Sequence, residues 1–109
     1  MKAATVSELK KELQTRSEKE LMALCLRLSK FKKENKELLT YLLYESADEM
    51  GYIRTVQLEI DEQFSEINTK TYYFIKKSVR KILRNIKKYI RYSGKKQTEV
   101  ELLLPLRKR

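Results

Sequence analysis

Residues Lys70–Tyr92 read KTYYFIKKSVRKILRNIKKYIRY, and how this stretch folds decides the fold class. Advanced by 100° per residue, Tyr72, Ile75, Val79, Ile82, Leu83, Ile86, Tyr89 and Ile90 fall within an arc of about 120°. On the same wheel Lys70, Lys76, Lys77, Arg80, Lys81, Arg84, Lys87, Lys88 and Arg91 fall within about 140° on the opposite side. The pattern predicts an amphipathic helix from about Lys70 to Tyr92, stopped by Ser93 and Gly94. No acid occurs between Glu66 and Glu99, and with Lys95 and Lys96 that gap holds eleven cations. The remainder of the chain has 14 basic against 15 acidic residues, so the formal charge of +10 comes from this one segment.

Outward from there, four Ser or Thr residues are each followed three positions later by Glu: Thr5 and Glu8, Ser17 and Glu20, Ser46 and Glu49, Thr98 and Glu101. This is the capping-box spacing, in which the hydroxyl satisfies a first-turn amide and the carboxylate reaches back to the cap residue's own amide. Five helices are expected. The first spans Val6 to about Gln14. The second runs from Glu18 to about Glu45, about 42 Å long, with Leu21, Leu24, Leu28, Phe31, Leu38 and Leu42 in its stripe. Cys25 widens that stripe and reads as a small core residue. Asn35 interrupts it, either fixing the register of a paired helix or meeting water or a backbone group. The third helix covers about Ala47 to Ile67, with Gly51 its weak point, because that glycine could instead end the preceding helix. The basic helix is fourth. A short fifth runs from Glu99 to Leu104, with Pro105 as its stop.

Composition narrows the class. At 109 residues the chain fits one domain, expected over 1–109, and two Gly and one Pro exclude a turn-rich β-sandwich. No apolar run approaches the roughly 20 residues of a membrane span. The N-terminus lacks a secretory core, and one Cys cannot form an internal disulfide, so a cytoplasmic location is expected. With no His, no glycine-rich loop and a lone Cys, no metal, cofactor or catalytic constellation is expected and the chain reads as a non-enzyme. Glu59, Asp61 and Glu62 spread around more than half of their helix and read as a solvated face.

The basic face is the candidate contact surface. Nine cations over about 33 Å of helix attract extended polyanions, of which nucleic acid is the commonest. Tyr73 lies inside the basic arc and Tyr92 near its edge, so both are candidates for stacking on unpaired bases. Lysines outnumber arginines six to three, which suits phosphate attraction better than reading of base edges. Three alternatives stand beside this. Glu45 to Glu66 holds seven acids and only Arg54, so the neighbouring helix could neutralise the face from within. A basic amphipathic helix could also rest on an anionic membrane. The chain could equally be a protein–protein adaptor or homodimer, through the second helix or Leu102–Leu106, with the basic face incidental.

The segment Thr5–Leu13, TVSELKKEL, followed by Lys19-Glu20-Leu21 and Leu26-Arg27-Leu28, resembles the helix-turn-helix of SAP DNA-binding modules over under a quarter of the chain. The stretch Lys30–Glu49, KFKKENKELLTYLLYESADE, is similar to uncharacterised all-helical bacterial proteins, which implies helices and no activity. The expectation is an all-α bundle or irregular helical array of about five helices.

Overall fold

A computed structural model describes residues 1–107, with the side chains of 1–104. Among the described residues there is no strand, and six α-helices and one π-helical turn succeed one another. They are α1 (Val6–Gln14), α2 (Glu18–Phe31), α3 (Lys33–Thr40), the π turn (Tyr41–Glu45), α4 (Glu49–Ser65), α5 (Tyr72–Ser93) and α6 (Lys96–Arg107). The chain is all-α, and it falls into two compact units, residues 1–39 and 40–109.

In the first unit local signals set the helices. Thr5 and Ser17 form the two expected capping boxes: each hydroxyl accepts an amide, from Glu8 and Glu20, and each glutamate accepts the cap amide in return. The long second helix is not continuous. Lys32 is extended at φ −142°, ψ 149°, and separates α2 from α3. Lys32, Lys33 and Lys36 crowd like charges here, and Asn35 offers the backbone a competing partner. Its Nδ2 donates to the Leu28 carbonyl at 2.8 Å, so Asn35 meets a backbone group at the break. Cys25 is exposed, which corrects its reading as a core residue. Periodicity places it on an apolar face, but nothing in this unit covers that face.

The second unit holds the core. Ile53, Val56 and Ile60 of α4 meet Ile82 and Ile86 of α5 and Leu102 of α6, with Tyr41 and Tyr52 at one end. Ile86 is 0% and Ile53 1% exposed, and each such side chain stabilises the fold by roughly 1.5–3 kcal/mol. The π turn, closed by the Ser46 amide on the Tyr41 carbonyl at 2.9 Å, shifts the register so that Tyr41 turns inward and Leu42 stays exposed. Leu42 therefore leaves the stripe expected for it. Tyr41 and Tyr52 pack with ring centroids 4.6 Å apart, and the Tyr52 hydroxyl donates to the Tyr89 carbonyl at 2.6 Å.

Two expected capping boxes are not formed. Asp48, not Ser46, caps α4, accepting the Gly51 amide at 3.1 Å. Gly51 lies inside α4 with negative φ, and a Cβ there would collide with the Asp48 carboxylate. Thr98 lies within α6 rather than before it, because α6 starts at Lys96. Glu49 and Thr98, one from each unformed box, meet each other instead, with Thr98 Oγ1 donating to Glu49 Oε1 at 2.7 Å. Tyr41 and Ser93 donate to the same carboxylate at 2.7 and 2.6 Å, and Lys95 Nζ lies 3.5 Å away. One side chain, 13% exposed, thus ties the π turn, α5 and α6 to α4. Burial pushes its carboxyl up, but the Ser93, Thr98 and Tyr41 hydroxyls with Lys95 outweigh this and hold it below the ordinary value.

Helix α6 also runs on through Pro105 instead of ending there. Proline has no N–H for the carbonyl four residues back, that of Glu101. Gln57 Nε2 of α4 donates to that carbonyl at 3.4 Å, which offsets the loss.

Candidate functional site: the outward face of α5

Helix α5 begins two residues later than expected, capped by Thr71, whose hydroxyl accepts the Phe74 amide at 3.2 Å. It ends where expected, on Gly94 in the left-handed conformation at φ 67°. Ile82 and Ile86 are buried, and Ile75, Val79, Leu83, Tyr89 and Ile90 are half-buried along the same side. Tyr72, assigned to that side by the wheel, is 78% exposed. Packing of this face fixes which side of the helix looks outward.

The cations fall on the outward side. Lys76, Lys77, Arg80, Lys81, Arg84, Lys87 and Arg91 are all exposed. Among the described residues no ion pair reaches any of them. Two acids of α4 are engaged elsewhere: Glu49 points into its hydroxyl cluster, and Glu59 accepts the Tyr89 hydroxyl at 3.0 Å. Among the described residues, no ion pair from α4 therefore reaches these seven cations. Lys88 differs from the others, being half-buried with Nζ 4.8 Å from the Tyr89 ring centre. Lys70 is exposed but precedes the helix, in a turn where its amide donates to Asn68 Oδ1 at 3.0 Å.

The two aromatic candidates part company. Tyr73 is 66% exposed, its ring set edge-on to Phe74 at 5.4 Å between centres. Tyr92 is half-buried, packs against the core and meets the Tyr89 ring at 6.0 Å. It is not on the open face. The wheel placed it at the margin of the basic arc, where packing of neighbouring elements decides the side.

Tyr73, Lys76, Lys77, Arg80, Leu83, Arg84 and Lys87 line a furrow along the helix. All come from α5, whose surface is convex, so this is an open track between long side chains and not an enclosed cavity. A second depression, between Gln63, Glu66, Ile67, Ser78, Lys81 and Ile82, mixes both charges and includes the buried, unpaired Gln63 Oε1. Among the described residues no group of His, Cys, Asp or Glu side chains converges to hold a metal. None of the described helices is long and apolar enough to cross a membrane. Compared with known families, curated proteins and solved structures, the chain matches none.

Proposed function

We propose that this is a small non-enzymatic binding protein that takes the phosphate backbone of a nucleic acid along the outward face of α5. The observation that carries the reading is a row of seven exposed cations that no ion pair among the described residues reaches. Lys76 and Arg80, Lys77 and Lys81, Arg80 and Arg84, and Lys87 and Arg91 are like charges four residues apart. Each such pair costs a helix about 0.2–0.5 kcal/mol. An anionic partner relieves that repulsion and releases its own counterions on binding. Cations recurring every turn, about 5.4 Å, track a backbone without reading bases, so binding is sequence-tolerant. Tyr73, at one end of the row, supplies a ring on which an unpaired base can stack.

Fluorescence anisotropy with a mixed-sequence single strand and its duplex, across a salt series, tests this. The expected result is a linear fall of log Kobs with log salt, about 0.7 per phosphate neutralised for the single strand and about 0.9 for the duplex. Changing Lys77, Arg80 and Arg84 together to Glu is expected to abolish binding. Unchanged binding in that variant, or affinity independent of salt, overturns the reading.

A further inference from the structure

Helix α2 carries an apolar stripe that residues 1–39 leave open. Leu21, Leu24, Cys25, Leu28 and Phe31 fall within about 120° on a helical wheel. Leu24 is 42%, Leu28 64% and Phe31 77% exposed, Cys25 is exposed as well, and Leu21 at the N-terminal end of the stripe is half-buried. Ser29 is the only buried residue among 1–39, and α1, α2 and α3 make no extended packing with one another. A continuous exposed apolar strip of this kind marks an interaction surface.

The charges beside the stripe say what fits it. Glu20 and Arg27 lie seven residues apart on the same edge, and Glu20 is held at 3.6 Å by Arg16, which lies in the turn before α2. Arg27 has no acid partner among the described residues. In a two-fold antiparallel pair of helices each edge faces the same edge of its copy, so Glu20 of one chain meets Arg27 of the other, twice. An axis beside Leu24 and Cys25, the middle of α2, sets Leu21 level with Leu28 of the copy and leaves Glu20 and Arg27 of the copy about 3 Å apart along the helix, within the reach of those long side chains. The helix dipoles then oppose, which favours the arrangement. A parallel pair brings unlike edges together and loses both charge contacts. We propose that a second copy of this chain docks antiparallel on the α2 stripe, forming a symmetric dimer. None of the α5 residues takes part, so this proposal and the nucleic-acid reading fail independently.

Sedimentation of the full chain over a concentration series is the first arm of the test. A reversible monomer–dimer equilibrium is expected. Leu28→Glu should raise the dissociation constant about a hundredfold with helix content unchanged, and Arg27→Glu should raise it less. A monomer at every concentration, or a dimer indifferent to both changes, overturns the proposal. The second arm reads orientation by oxidative or bismaleimide cross-linking. A Cys25→Ser/Leu21→Cys chain mixed with a Cys25→Ser/Leu28→Cys chain is expected to cross-link, whereas neither does so alone. Cross-linking of each chain with itself indicates a parallel pair and contradicts the antiparallel docking.

Discussion

Residues 1–39 and 40–107 both form helices, but only the second region buries the apolar faces those helices carry. In the first region the Thr5 and Ser17 capping boxes form as spaced in the sequence, yet Leu24, Leu28 and Phe31 remain exposed. In the second region neither expected box forms, yet Ile53, Ile86 and Leu102 are each 1% exposed or less. Capping satisfies amides within one turn and is worth about 1 kcal/mol. A core requires apolar faces from separate helices to meet, and that is what α4, α5 and α6 achieve. Helix formation and core formation are therefore separable in this chain.

Paired truncations should separate the two regions by the widest margin. Ile86→Ala should lower unfolding free energy in urea by about 2–5 kcal/mol, as full burial implies. Leu28→Ala, measured at a dilution where the chain is monomeric, should change it by about 0.5 kcal/mol or less. Equal losses would mean that residues 1–39 hide a core.

Glu49 gives the next largest difference. Glu49→Ala strands the Tyr41, Ser93 and Thr98 hydroxyls and should cost about 3 kcal/mol. Because its folded carboxyl titrates below the ordinary 4.5, the unfolded chain takes up that proton first as pH falls. The contribution is full above that pH and is lost as acid drops through the folded pKa. Glu49→Gln should flatten this acid limb of the stability profile. Glu20 is also held low, first by the Ser17 amide, but it is exposed, and Glu20→Gln should leave the limb nearly unchanged. A limb governed by Glu20 would contradict the division between the two regions.

Smaller effects belong to backbone and caps. Gly94→Ala should cost about 1 kcal/mol, since a side chain there meets open space and only the left-handed φ penalises it. Ser17→Ala should cost about 1 kcal/mol of α2 stability or less, read as faster amide exchange in its first turn and nowhere in α4 to α6.

Legibility in the sequence divides along the same line. The two faces of α5 can be read from side-chain period alone, because Ile82 and Ile86 recur at the helical spacing and the cations fill the remainder. Thr5 and Ser17 were legible because their partners lie three residues away. The Glu49 cluster was not: Ser46-x-x-Glu49 and Thr98-x-x-Glu101 carry the same spacing, and only the tertiary arrangement diverts Glu49 and Thr98 toward each other. The break at Lys32 was hidden by an apolar period that continues across it. Exposure of Cys25 and partial burial of Tyr92 were hidden for a related reason. Period assigns a residue to a face, and whether that face is covered depends on elements distant in sequence.

The most direct measurement is a nuclear magnetic resonance titration of the labelled chain with a mixed-sequence single strand at low salt. Shifts concentrated at Tyr73, Lys76, Lys77, Arg80, Arg84 and Lys87, fading as salt is raised, are the predicted result. Shifts centred on residues 1–39, or none at all, would contradict the assignment of the binding surface to α5.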